Sequence, residues 1–435
     1  MRWLIYNVLF AVGYLCLLPY YLVRMCRRGG YRENFMQRLG FYDAATREAL
    51  RTPRIWVHAV SVGEMLVALK FIDVFRAALP GLRFVVSVNT STGYALARRR
   101  LPAEDCLIYY PADFPWVVRR VLAQVNVRAL VLTEGEFWPN LLRAFQAKGI
   151  PTGLINGRVS DSSFRGYRRV RPFFAPVLAG LSPACMQTTA DAARMQELGV
   201  PSTALKITGN AKYDVPQMRA EDASAAREIF AAAGLPGDAV ILLGGSTWPG
   251  EEKVLAGIYR TLQKETPALR LVLAPRHAER RQEVAAILTE AGLNPVFRSR
   301  CRAGETSGST GPESVLLLDT TGELQSLYAG ADLIFVGKSL TAQGGQNIIE
   351  PAQYGKPIVV GPHLENFRAV ADDFLKAGAL VQVPDAVGLE EALRALLREP
   401  DRAAALGASA GRWVSGCRGV LAETVDLLRK HWNLS

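Results

Sequence analysis

Past residue 50 the chain alternates short apolar runs with amphipathic stretches. Runs of strand length fall at 55–60, 84–88, 129–133 and 152–156. Between them, 65–78, 114–124 and 138–148 carry apolar residues at helical spacing. This rhythm predicts βαβ units, hence a mostly parallel sheet with helices on both faces. It resumes at 240–243, 271–274, 315–318, 333–336 and 358–360. Residues 213–238 are richer in Ala, Glu and Arg, and predict a helix over 223–233 with Asp222 as its N-cap. The pattern thus predicts two Rossmann-like, doubly wound domains facing one cleft, at 28–215 and 239–435, joined by a linker over 216–238 that ends in Gly234-Leu235-Pro236-Gly237-Asp238. Ligands of such sheets bind beyond the carboxyl ends of the strands, so the chemistry is expected on loops just after strands.

The first residues follow a different pattern. From Trp3 to Val23 no side chain carries a formal charge, a stretch of 21 residues that suffices to span a bilayer core of roughly 30 Å. Trp3, Tyr6, Tyr14, Tyr20 and Tyr21 are the amphipathic aromatics that favour interfaces. Arg24, Arg27, Arg28 and Arg32 come after the apolar stretch, whereas a cleaved signal peptide carries its charge in front. A buried core helix fits the same composition. The expected element is an uncleaved membrane anchor over 1–27, with the bulk of the chain on the cytoplasmic side. Pro19 also allows a kinked helix lying in the interface.

Composition narrows the function. Lys and Arg number 51 against 40 Asp and Glu, a net charge of +11, which suits anionic partners such as phosphorylated substrates or acidic lipid. No aromatic-basic RNA module, zinc-finger spacing or helix-turn-helix signature is present, so nucleic acid is not expected as a partner. The six cysteines are scattered without a Cys-x-x-Cys and read as core residues of a reducing compartment.

Several strand-to-helix junctions hold candidate chemistry. In Ser61-Val62-Gly63-Glu64 the serine can cap a helix, and Glu64 in its first turn is either a partner of the helix dipole or a general base. Thr133-Glu134-Gly135-Glu136 sets two carboxylates about a glycine, for catalysis or for pairing with arginines. Five arginines fall between Arg158 and Arg171, among them Arg165 and Arg168; they suit phosphate groups or a lipid headgroup surface, or form a solvated helix face. Gly244-Gly245 is expected to open a phosphate-cradling turn. Arg276 offers a planar fork for phosphate or for a surface ion pair. The run from Gly337 to Glu350 predicts a glycine loop feeding a helix whose N-terminus receives an anion, with Glu350 placed to bind ribose. No Asp-x-Asp metal signature occurs.

Taken in order, these motifs resemble the Kdo (3-deoxy-D-manno-octulosonate) transferases of lipopolysaccharide synthesis. The resemblance rests on the apolar N-terminus, Arg38-Leu39-Gly40-Phe41-Tyr42, His58 to Glu64, Glu136-Phe137-Trp138-Pro139-Asn140, Thr208-Gly209-Asn210, Pro275-Arg276-His277, Gly322-Glu323 and Asn347 to Glu350. It implies a GT-B α/β fold on the cytoplasmic face of the inner membrane, CMP-Kdo as donor, a lipid A precursor as acceptor, and neither a cofactor nor a metal for transfer. It also implies Glu64 as catalytic base, Glu136 as second carboxylate, and CMP contacts from Pro275, Arg276, Thr321, Gly322, Glu323, Asn347, Ile348, Ile349 and Glu350. The acceptor's phosphates are assigned to Arg158, Arg165 and Arg168. The chain departs from the commoner family pattern at Gln37, Trp248, Lys338 and Gln346. Two rival readings share the fold: a UDP-sugar transferase or epimerase, and a membrane-tethered binding protein without catalysis.

Overall fold

The computed structural model describes residues 2–28, 34–214, 218–301 and 311–434, with the backbone alone over 21–28. Arg32 and the side chains of Arg24, Arg27 and Arg28 lie outside the described residues. The chain divides into two compact units, one of Met1–Asp214 with Gly419–Ser435, the other of Val215–Arg418.

The first unit holds a seven-stranded parallel sheet: β1 (Arg54–Ala59), β2 (Phe84–Val88), β3 (Cys106–Tyr109), β4 (Val127–Thr133), β5 (Thr152–Gly157), β6 (Leu181–Met186) and β7 (Leu205–Ile207), in the order β3-β2-β1-β4-β5-β6-β7. Every residue of β1, β2 and β5 is buried, as a parallel sheet covered on both faces requires. One face packs under Trp56, Leu130, Leu132 and Phe145, the other under Val57, Phe71, Phe75 and Val131. The register pairs His58 with Ser87 and with Leu132. Strand order reverses at β1, so the loops after β1 and β4 flank the switch point where doubly wound sheets bind ligands.

The second unit repeats the design with β8 (Val240–Thr247), β9 (Leu269–Pro275), β10 (Asn294–Phe297), β11 (Ser314–Leu317), β12 (Leu333–Val336), β13 (Ile358–Val360) and β14 (Val381–Gln382), all parallel, in the order β10-β11-β9-β8-β12-β13-β14. Its switch point lies at β8.

Three expectations change. The described residues of the 216–238 segment belong to the second unit, and its helix Asp222–Ala232 supplies Ala226 and Phe230 so close to Gly330 that no side chain fits there. The N-cap is Glu221. Asp222 is buried, accepting from Arg219 N at 2.8 Å, Tyr354 Oη at 2.7 Å and Ser326 Oγ at 3.2 Å. Finally, the last helix, Val420–Trp432, belongs to the first unit. Its Leu421, Val425 and Leu428 share that unit's core, and Asp214 accepts from Gly419 N at 2.7 Å and Leu421 N at 2.6 Å to fasten its start.

The N-terminal helix runs Arg2–Arg28. It is the one described helix long and apolar enough to cross a membrane, over Arg2–Tyr20. One of its faces is covered by the first unit: Trp3 meets Phe173, and Phe10 meets Phe114 and Trp138 edge-on.

Candidate active site

Glu64 opens the helix Val62–Ala78, which follows β1. Ser61 caps this helix, its Oγ accepting from Glu64 N at 3.2 Å, while Glu64 Oε2 accepts from Val60 N at 2.9 Å. The exchange resembles a capping box shifted by one residue, so Glu64 has the structural role that its position allowed. It also has a property that a surface cap lacks. Burial is the main cause that pushes its pKa up to about 7, and the neighbouring Glu134 and Glu136 add to the rise, against the Val60 and Ser61 hydrogen bonds. A carboxylate poised there can accept a proton at neutral pH.

Glu136 lies in the loop after β4, beside the β1 loop in the sheet order. Its Oε2 accepts from Trp138 Nε1 at 3.0 Å and Asn89 Nδ2 at 3.1 Å, and His58 Nε2 stands 3.9 Å away. His58 is buried, and its Nε2 has no hydrogen-bond partner. Burial holds its pKa below the ordinary histidine value. Glu134 has a left-handed backbone, φ +66°, and accepts from Asn156 Nδ2 at 3.4 Å. Burial raises its pKa, opposed by the charges of Lys212 and Arg158. Arg158 thus stands near this carboxylate group. Arg165 and Arg168 project from the separate helix Asp161–Arg169 and are exposed. Arg168 comes within 3.8 Å of Glu197.

In the second unit the nine residues expected to bind CMP all fall at or just after the carboxyl ends of its strands. Pro275 ends β9 and Arg276 follows it; Thr321, Gly322 and Glu323 follow β11; Asn347 to Glu350 follow β12. Strands β11, β9, β8 and β12 are consecutive neighbours. Arg276 is exposed and makes no ion pair among the described residues. Its backbone N donates to Thr247 O at 3.1 Å. Glu323 is engaged by Arg298 at 2.8 Å and by Thr320. Asn347 caps its own segment, accepting from Ile349 N and donating to Glu350 Oε1, both at 3.0 Å. Ile348 and Ile349 turn into the core, so only their backbone can meet a ligand.

Two expectations are corrected here. The helix after Asn347 is a single turn, Ile349–Ala352, too short for an appreciable dipole. Gly244 and Gly245 lie inside β8, where a Cβ would strike Leu255 and Leu273 or the Tyr328 ring. They permit close packing and form no phosphate turn.

Sequence reading also missed the group that shapes this edge. Glu251, fully buried at the start of the helix after β8, accepts four backbone N–H groups: Trp248 and Lys338 at 2.8 Å, Ser339 and Leu340 at 3.0 Å. One carboxylate thereby ties the loop after β12 to the loop after β8. Gly337 is required, since a Cβ would fall 2.4 Å from Ser246 O and 2.7 Å from Glu251 Oε2. Glu251 follows Pro249-Gly250 in a strand-to-helix turn, and that position was its only sequence signal.

The family described as 3-deoxy-D-manno-octulosonic-acid transferase (kdotransferase) matches residues 33–215. A 3-deoxy-D-manno-octulosonic acid transferase of Bordetella pertussis is 38% identical over 416 residues, covering 93% of this chain and 94% of its own. The chain belongs to the Kdo transferase family. The Haemophilus influenzae transferase of the same name is 29% identical, with 92% of each chain covered. Among solved structures, a UDP-GlcNAc 2-epimerase from Neisseria meningitidis superposes with a TM-score of 0.53 at 14% identity, over 87% of this chain and all of that one. This likeness bears on the fold alone, two α/β domains of the GT-B type.

Within this Kdo transferase, two departures from the commoner family pattern touch each other. Lys338 Nζ stands 4.8 Å from the centre of the Trp248 ring, and Trp248 in turn lies 5.4 Å from the His277 ring. Lys338 holds a left-handed backbone, φ +55°, and pairs with no carboxylate among the described residues. Gln37, the third departure, is buried and accepts from Tyr109 N at 3.0 Å.

Proposed function

We propose that the chain transfers Kdo from CMP-Kdo to a lipid A precursor at the inner membrane, its first unit taking the acceptor and its second the nucleotide. The observation that carries the base assignment is Glu64, a partly buried carboxylate at the switch point of the first sheet with a pKa near 7.

In this reaction Glu64 removes the proton from an acceptor sugar hydroxyl. The oxygen attacks the anomeric carbon of Kdo from the face opposite the phosphate. The new C–O bond forms as the bond from that carbon to the CMP phosphate breaks, and the electron pair leaves with CMP. The configuration inverts, and Glu64 then releases its proton to solvent. Glu136, fixed by Trp138 and Asn89, supplies a second negative charge that keeps Glu64 basic. Arg276 offsets the charge that accumulates on the departing phosphate. Glu350, oriented by Asn347, accepts from the ribose hydroxyls. Arg158, Arg165 and Arg168 meet the acceptor's phosphates.

Mass spectrometry of the product formed from CMP-Kdo and a tetraacylated lipid A precursor tests the reading. One or more added Kdo residues is the expected result. Thermal protection by UDP but not by CMP, with no such product, would replace it with the UDP-sugar reading.

A further inference from the structure

The N-terminal helix is two-faced. Trp3, Tyr6, Asn7, Phe10 and Tyr14 recur at helical spacing, and all of them bind the first unit. Tyr6 Oη donates to Asp113 Oδ2 at 2.8 Å, and Asn140 Nδ2 donates to Asn7 Oδ1 at 2.7 Å. Arg143 lies 3.9 Å above the Trp3 ring, Phe10 meets Phe114 and Trp138 edge-on, and Tyr14 meets Phe114. The opposite face has no such cover: Leu4, Leu9 and Leu15 are 68%, 66% and 64% exposed, and Ile5, Val8 and Val12 are exposed with them.

This division is incompatible with a helix surrounded by lipid. A spanning pose would carry the docked Asp113, Asn140 and Arg143 into hydrocarbon, where unsolvated polar groups and charges are costly. The alternative, peeling the helix off its unit, would cost Asp113 the Tyr6 hydroxyl, Asn140 the Asn7 amide and Arg143 the Trp3 ring, and would uncover Phe114 and Trp138. A helix with one polar-aromatic face on protein and one aliphatic face outward is matched instead to the boundary between headgroups and acyl chains.

The surroundings fit an anionic bilayer. Beside the Trp3 end, next to Phe173, lies the exposed basic run of Arg165, Arg168, Arg169 and Arg171. Beside the Tyr14 end, Phe114 stacks on the exposed Trp116, and Arg120 lies over both Trp116 and the exposed Phe41. Basic and aromatic side chains thus stand near both ends of the helix, a composition that suits anionic headgroups.

We infer that residues 3–20 lie along the membrane surface, one face on the first unit and the other among anionic lipids, and do not cross the bilayer. This rests on the membrane reading above and deepens it. The same helix reaches the chemistry through Trp138, whose ring takes Phe10 on one side while its indole N–H holds Glu136. A lipid acceptor would meet that loop without its headgroup leaving the interface.

Sidedness of labelling tests this on the full chain. In a Cys16→Ser, Cys26→Ser, Cys417→Ser background, Arg2→Cys and Arg47→Cys are each treated with an impermeant maleimide in spheroplasts and in inverted vesicles. Both positions should react from the same side. Arg2→Cys reacting from the side opposite Arg47→Cys would overturn the inference and leave the membrane reading intact. Fluorophores at Leu4→Cys, Leu9→Cys, Val12→Cys and Leu15→Cys should be quenched alike by shallowly brominated lipids in phosphatidylethanolamine–phosphatidylglycerol vesicles. A profile deepest at Val12 would also overturn it. Failure of the chain to sediment with such vesicles would remove the membrane reading itself, and the inference with it.

Discussion

His58 Nε2 faces Glu136 Oε2 across 3.9 Å, and its ring is held from behind. Nδ1 lies 2.9 Å from Ser87 Oγ, which also accepts the Trp56 indole N–H at 2.7 Å. Nδ1 also lies 3.2 Å from Ser87 O; in the tautomer where Ser87 Oγ–H donates to Nδ1, the ring proton stands on Nε2, directed at the carboxylate. Ser87→Ala strips Trp56 of its buried partner and leaves His58 Nδ1 only the carbonyl of residue 87. It should cost about 1–3 kcal/mol in urea denaturation, with a slower enzyme as the imidazole loses its orientation.

Glu64→Gln keeps the shape and removes the basicity. Turnover should fall by about 10²–10⁴-fold, with folding and CMP binding retained. Glu136→Gln is the matched control. Near-normal turnover in Glu64→Gln beside an inactive, folded Glu136→Gln enzyme would reverse the two roles.

The raised pKa of Glu64 makes a separate prediction for stability. Its folded value, about 7, exceeds the ordinary glutamate value of 4.5, so over that interval the folded state holds the proton more tightly. This contribution is complete below about pH 4.5 and is lost as pH rises through 7. Thermal denaturation should therefore show Glu64→Gln gaining on the parent between pH 5 and pH 7.5, with no further gain above. A constant difference across that range would mean that the carboxylate ionises normally.

Arg276→Ala should weaken CMP binding by roughly 1.5–3 kcal/mol, because a phosphate loses a charge-assisted partner. Arg276→Lys should recover little, since an ammonium cannot reproduce the planar fork. Isothermal titration with CMP measures both, and unchanged affinity would remove Arg276 from the site.

Trp248 and Lys338 should be energetically coupled. A double-mutant cycle with Trp248→Ala and Lys338→Met, followed by denaturation, should return about 0.5–1 kcal/mol, the usual worth of a partly exposed cation over an indole ring. Additive effects would make the 4.8 Å approach incidental.

The parts legible in the sequence share a physical cause. Buried parallel strands such as Phe84–Val88 are nearly continuous apolar runs, and Ser61 and Gly63-Glu64 announce a capped helix in their own residues. Three of the missed strands lack that signal: Leu181–Met186 contains Pro183, Asn294–Phe297 contains Pro295, and Val381–Gln382 is two residues long; Cys106–Tyr109, also missed, is apolar throughout but only four residues long. The site divided likewise. Glu64, Glu136 and Arg276 stand in local motifs after strands. Glu251 acts on Lys338, Ser339 and Leu340, more than eighty residues away, and no local pattern encodes that bond. The linker and the C-terminal boundary failed for the same reason, because helices Asp222–Ala232 and Val420–Trp432 find their partners only after folding.

The return of the final helix imposes an order on biosynthesis. The second unit is one uninterrupted stretch of chain and can close as soon as it leaves the ribosome. The first cannot: its core waits for Leu421, Val425 and Leu428, and Gly153 waits for Trp432, whose ring occupies the space of a Cβ there. At ~5–20 residues per second that delay after Asp214 is on the order of 10–40 s, during which the half bearing Glu64 lacks its lid of apolar side chains. A nascent chain that stops short of Val420 would therefore keep a finished second unit and leave the core of the first open.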